Sequence, residues 1–85
     1  MSTHTLGKWT TATWVGYSAS GKTDLWEIRS VASNEILGVI RWWGGWRQYV
    51  FHPADHTIWN PDCLDEVSTF ARARTKAAAE ARALR

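Results

Sequence analysis

Apolar and polar residues alternate along three stretches in the middle of the chain: LWEIRSVAS from Leu25, EILGVIRWW from Glu35 and WRQYVFHP from Trp46. A period of two sends successive side chains to opposite faces of a strand, and the β-branched and aromatic residues here suit a pleated sheet. Gly44-Gly45 predicts a two-residue hairpin turn. It pairs Ile40 with Tyr49, Arg41 with Gln48 and Trp42 with Arg47. A four-residue loop gives the same faces. A three-residue turn at Ser33-Asn34-Glu35 pairs Ile28 with Ile40 and Trp26 with Trp42. A two-residue turn there shifts the register by one and sends Ile28 to the wrong side.

Two faces follow. Trp26, Ile28, Ala32, Ile36, Ile40, Trp42, Tyr49 and Phe51 form the predicted core face. Leu25, Glu27, Arg29, Val31, Leu37, Val39, Arg41, Trp43, Trp46, Gln48, Val50 and His52 share the other. One helix covers only one face of a sheet, so the second must be covered by another segment or serve as a binding surface.

The period then changes. In NPDCLDEVSTFARARTKAAAEARALR, Asn60 reads as an N-cap and Pro61 as the first helical residue, where its missing N–H costs nothing. Leu64, Val67 and Phe70 or Ala71 recur at helical spacing. Beyond Ala71 the segment is rich in Ala and Arg, with high helix propensity and few core-forming side chains. Residues 71–85 are therefore predicted to project or fray. KWTTATWVGY, residues 8–17, is a candidate strand, joined through SASGKT as a fourth strand or laid over the open face. Residues 1–8 read as a flexible tail and 9–85 as a single small domain. The predicted class is α+β: a three- or four-stranded antiparallel meander followed by one C-terminal helix packed on one sheet face.

Composition sharpens this little. With 85 residues, a single domain is expected, and seven Trp supply large buried areas to a small core. The net charge of +2 permits nucleic-acid binding without requiring it. Residues 60–70 hold three acids and no Lys or Arg, whereas residues 71–85 hold five Lys/Arg and one acid. That order matches the helix dipole, which favours acids at the N-terminus and bases at the C-terminus. Cys63 is the sole cysteine, so no internal disulfide forms. Without a signal pattern or a long apolar run, the expected setting is the cytoplasm, with no membrane partner.

Two motifs suggest chemistry and lack its context. Gly16 to Thr23, GYSASGKT, fits the phosphate-loop pattern. A strand, not a helix, is predicted after it, so a polar hairpin turn is the expected reading. His52, Asp55, His56 and Cys63 lack the paired spacing of a structural zinc site, and no metal or other cofactor is expected. No nucleophile–base set stands out, and a non-enzymatic protein is expected.

Interleaved basic and aromatic residues carry the stronger signal. Arg29, Arg41, Trp43, Trp46 and Gln48 would share the open face, with Lys22 and the basic helix end assisting. Arg reads phosphates and base edges, and aromatic rings stack on bases. A three-stranded sheet backed by a helix is similar in outline to the arm-binding domains of some phage-type integrases and to plant AP2 domains.

A more specific likeness lies in ILGVIRWWGGWRQYVFHPADHTIWNPDCL, Ile36 to Leu64. It resembles small proteins encoded by bacteriophages and prophages, with L-G-x-I, a basic residue, Trp, an aromatic, two turn residues, W-R-Q-Y-x-F-x-P and a later C-L. The resemblance implies a viral origin and a stand-alone small protein, and it transfers no catalytic residue. The expected partner is nucleic acid, DNA rather than RNA. The competing expectation is a host or phage protein, or a second copy in a homodimer, bound through Leu37, Val39, Trp43, Trp46 and Val50.

Overall fold

A computed structural model describes residues 2–83. Five strands form one antiparallel sheet in sequence order: β1 (Thr3–Thr5), β2 (Thr10–Tyr17), β3 (Asp24–Ser30), β4 (Ile36–Trp43) and β5 (Gln48–Pro53). One helix follows, α1 (Pro61–Ala83). The architecture is α+β, as the hydrophobic pattern predicts, with five strands where three or four were expected.

The additional strand comes from the predicted tail. Residues 3–5 pair with β2, His4 opposite Ala12, and Thr3 and Thr13 share a hydroxyl hydrogen bond of 3.0 Å. T-H-T has no apolar residue to announce a strand, and backbone pairing with β2 recruits it. His4 still meets the core, its ring 5.4 Å from that of Trp26. Likewise β2 extends the sheet alongside β3 instead of crossing the open face. Thr10, Ala12 and Trp14 keep to the core side by plain alternation, and Val15 then falls at a register irregularity between Trp14 and Gly16.

Both inner hairpins have longer loops than the first-choice turns, and away from the β3–β4 turn the predicted facing is kept. The β3–β4 turn spans residues 31–35, with Asn34 at φ 60°. Trp26 therefore pairs with Ile40, and Ile28 with Gly38. This is a slip of two residues from the predicted register, and a slip of two preserves the faces. An irregularity after Ile28 pairs Arg29 with Ile36. Ala32 and Ile36, assigned to the core from the pattern, are exposed as a result, and Leu37 packs against the core instead of joining the open face. The β4–β5 loop is the four-residue alternative, Gly44 to Arg47, and pairs Trp43 with Gln48 and Trp42 with Tyr49. Neither glycine of the pair takes a positive φ; Arg47 takes it, at 53°.

The core lies between the sheet and α1. Ala12, Trp26, Ile28, Ile40 and Tyr49 are buried from the sheet, and Val67 and Ala71 from the helix. Asn60 caps the helix, its Oδ1 accepting the Cys63 N–H at 2.7 Å. Leu64, counted in the apolar stripe, stays half exposed. Docking also continues past Ala71, where projection was predicted. Ala78 packs on the core, and the Arg74 guanidinium lies 5.5 Å over the Trp26 ring. Thr75 Oγ1 accepts the Tyr49 N–H at 2.9 Å, satisfying a donor on the edge strand β5. Small Ala side chains let the helix approach, and the Arg stems supply contact area that the sequence pattern did not count.

Glu66 ties the first turns of the helix to the start of β2. Its carboxylate accepts the backbone N–H groups of Trp9 and Thr10, at 3.2 and 2.9 Å, and the Thr10 hydroxyl at 2.7 Å. Thr10 is fully buried. A Cβ on Gly7 would lie 2.5 Å from Glu66 Cδ, so a side chain there displaces the carboxylate from its partners.

Candidate functional site

The helix covers one face of the sheet, and among the described residues no element covers the other. Arg41, Trp43 and Gln48 occupy that open face at the end carrying the β4–β5 loop. Arg41 pairs with Leu25 and Val50, and Trp43 with Gln48. Trp46 is in the loop, its ring 6.1 Å from that of Trp43. They do not form a cross-strand pair, because the loop is two residues longer than a Gly-Gly turn. Trp43 is 44% exposed and Trp46 67%. Arg41 Nε donates to His52 Nε2 at 3.3 Å, and the His52 ring is 6.3 Å from Trp43. Four predicted residues, Arg41, Trp43, Trp46 and Gln48, are thus brought together, and His52 joins them. Its alternation with Val50 in β5 was the sequence signal for it.

Arg29 and Lys22 stand apart. Arg29 donates Nε–H to Glu27 Oε1 at 2.8 Å, pairs with the same carboxylate through its terminal nitrogen, and donates to the Asn34 carbonyl at 2.9 Å. Its charge is balanced and its donors are engaged in fixing the β3–β4 turn. Lys22 sits in the β2–β3 turn, on the helix side of the sheet, where it lines a groove with Arg74 and Arg82. The turn itself has no phosphate-loop geometry. A strand follows it, the Gly21 N–H donates to the Ser18 carbonyl at 2.9 Å, and the Lys22 N–H donates to Ser20 Oγ at 3.3 Å. Those amides are engaged by acceptors within the turn.

Arg74 and Arg82 were not singled out in the sequence, although Arg74, Ala78 and Arg82 are spaced four apart and so share one helical face. Turn placement gives the molecule a charge axis. The helix N-terminus brings Asp62, Asp65 and Glu66 to the end that holds the 6–9 and 31–35 turns. Its C-terminal half brings Arg74 and Arg82 to the end that holds the 18–23 turn.

A protein of Acholeplasma phage L2, described as an uncharacterized 9.3 kDa protein, is 38% identical to the chain over 44 residues. The chain is related to a phage protein. The match covers 52% of this chain and 56% of the length of that relative. A viral link is what the Ile36–Leu64 pattern implied. No protein-family model matches the chain, and no solved structure matches it. The three-stranded outline expected from integrase arm-binding and AP2 domains is not the one observed, because β1 and β2 extend the sheet to five strands. No helix of the described residues is long and apolar enough to cross a membrane.

Proposed function

We propose that this is a non-enzymatic phage protein that binds nucleic acid through the open face of its sheet. The observation supporting it is the joint exposure of Arg41, Trp43, Trp46 and Gln48 on a face that no described element covers. Arg41 supplies a guanidinium for phosphate or a base edge, Gln48 an amide, and the two Trp rings supply stacking surfaces. Their position on strand ends and a loop lets a groove or a splayed strand approach without steric obstruction. DNA rather than RNA remains the favoured partner within this reading. Arg29 is dropped from the contact set because Glu27 neutralises it.

That neutralisation favours one second reading. With Arg29 paired, Arg41 is left among Val39, Val50, Trp43 and Trp46, a surface suited to a host or phage protein or a second copy. Salt separates the two. Binding through phosphates weakens steeply as salt rises, and an apolar interface responds little. A mobility-shift assay on duplex and single-stranded DNA, with wild type, Arg41→Ala and Trp46→Ala at two salt concentrations, is the decisive test. A shift lost at higher salt and weakened in both variants supports nucleic-acid binding. No shift at low salt on either substrate rejects it, and concentration-dependent mass measurement then tests self-association.

A further inference from the structure

On the opposite side of the sheet from the open face, the β2–β3 turn and the C-terminal half of α1 enclose a groove of about 630 Å³. Ala77, Ala78 and Ala81 present only methyl groups there, so the helix leaves the space unfilled. The walls carry three cations, Lys22 from the turn and Arg74 and Arg82 from the helix, against one acid, Asp24. Asp24 Oδ1 already accepts the Trp14 indole N–H at 3.0 Å. The Arg74 Nε is buried and has no hydrogen-bond partner among the described residues. A buried guanidinium nitrogen without an acceptor is costly, and a counter-charge beside the guanidinium offsets that cost. Trp42 forms part of the wall, with the Arg82 guanidinium 5.5 Å over its ring.

We propose that this groove is a phosphate-binding site, taking the phosphate of a nucleotide or of a nucleic-acid backbone between Lys22, Arg74 and Arg82. The net positive lining sets the sign of the ligand. The planar guanidinium forks of Arg74 and Arg82 suit phosphate oxygens. The turn is held rigid, since Thr23 Oγ1 donates to Ser18 Oγ at 2.7 Å and the Ser18 N–H to the Thr23 carbonyl at 2.8 Å. Lys22 is therefore presented from a fixed backbone, and less order has to be imposed on binding. The negative end of the helix dipole opposes an anion only in the last turn, and the groove extends back along the helix to Arg74. The site is separate from the open face and does not rest on the function proposed for it.

The test is an amide and indole NMR titration of the intact chain with inorganic pyrophosphate, a mononucleotide and a short thymidine oligonucleotide, each at low salt. The exposed pair is changed together as Lys22→Gln/Arg82→Gln, which leaves the core untouched. Saturable shifts at Gly21, Thr23 and the Trp42 indole are expected, weakened about tenfold or more in the double variant and unchanged in Arg41→Ala. Saturation by pyrophosphate or the mononucleotide assigns a free phosphate ligand, and saturation by the oligonucleotide alone assigns a backbone phosphate. No saturable shift at these residues with any probe overturns the proposal, as do shifts of equal size in the double variant. Loss of oligonucleotide shifts at Trp43 and Trp46 in Arg41→Ala reports on the open face alone, so each site stands or falls independently.

Discussion

Ile28 and Arg29 are neighbours in β3 and meet opposite environments. Ile28 is fully buried beneath α1, and Arg29 lies on the far side in an ion pair with Glu27. The same contrast runs along β4, where Ile40 is fully buried and Arg41 is exposed. The covered face holds Ala12, Trp26, Ile28, Ile40 and Tyr49 against Val67 and Ala71, with the N-terminal loop tied to Glu66. The open face holds the exposed Arg41, Trp43 and Gln48. Residues that hold the fold and residues of the proposed contact surface thus alternate along the same strands, and each set can be altered with limited effect on the other.

The contrast can be broken most severely from the covered side. Ile40→Ala removes a fully buried side chain and should cost about 2–5 kcal/mol, a large share of the stability of a small domain. Urea unfolding followed by tryptophan fluorescence measures it, and a loss under about 1 kcal/mol contradicts the assignment of Ile40 to the core. Gly38→Ala tests the sheet itself. Gly38 sits at φ 154°, and an added Cβ would run into the His52 carbonyl and the Phe51 ring. Strain and overpacking together predict a loss of roughly 2–4 kcal/mol, seen as a lowered Tm and loss of dispersion in NMR spectra.

Glu66→Ala comes next. It leaves the buried N–H and hydroxyl of Thr10 without an acceptor, at a cost of about 2–3 kcal/mol. Hydrogen exchange should quicken first at Trp9, Thr10 and the β1–β2 pairing, because these depend on the carboxylate. Protection unchanged there argues against a latch.

The open side predicts small changes in stability. Arg47→Gly relieves a left-handed residue in the β4–β5 loop and should gain roughly 0.5–1 kcal/mol in the same urea experiment. Trp46→Ala, two-thirds exposed, should change stability by less than about 0.5 kcal/mol while weakening oligonucleotide binding. A Trp46→Ala protein that unfolds readily would return this residue to the core and remove it from the contact set.

Much of this arrangement is legible in the chain. Alternation in 25–53 assigns Trp26, Ile28, Ile40, Trp42, Tyr49 and Phe51 to one face, and each of them is buried or packs against the buried cluster. The assignment withstands a longer loop at both hairpins, because each displaces the first-choice register by two residues, the period of the strand. Asn60-Pro61 marks the helix start, since cap and first-turn chemistry are local. Ala32 and Ile36 were misplaced because the irregularity after Ile28 arises from pairing between strands.

The candidate site is legible in part for the same reason. Arg41, Trp43 and Gln48 follow the alternation, and Trp46 stays beside Trp43 in the loop. Arg29 follows the alternation too, and its charge is nonetheless lost to a neighbour two residues away. Lys22 carries no facing signal, since a turn has no period.

What the sequence determined by itself is therefore whatever depends on periodicity and on contacts between near neighbours: strand faces, the helix start and the order of charge along the helix. Only the tertiary structure decided that β1 joins the sheet, that Glu66 binds the 7–10 loop and that the helix docks past Ala71. It alone gathered Lys22, Arg74 and Arg82 into one groove. Those outcomes join residues 6 to 60 positions apart, and each depends on backbone hydrogen bonds, small-residue clearance or charge convergence that leaves no periodic trace in the chain.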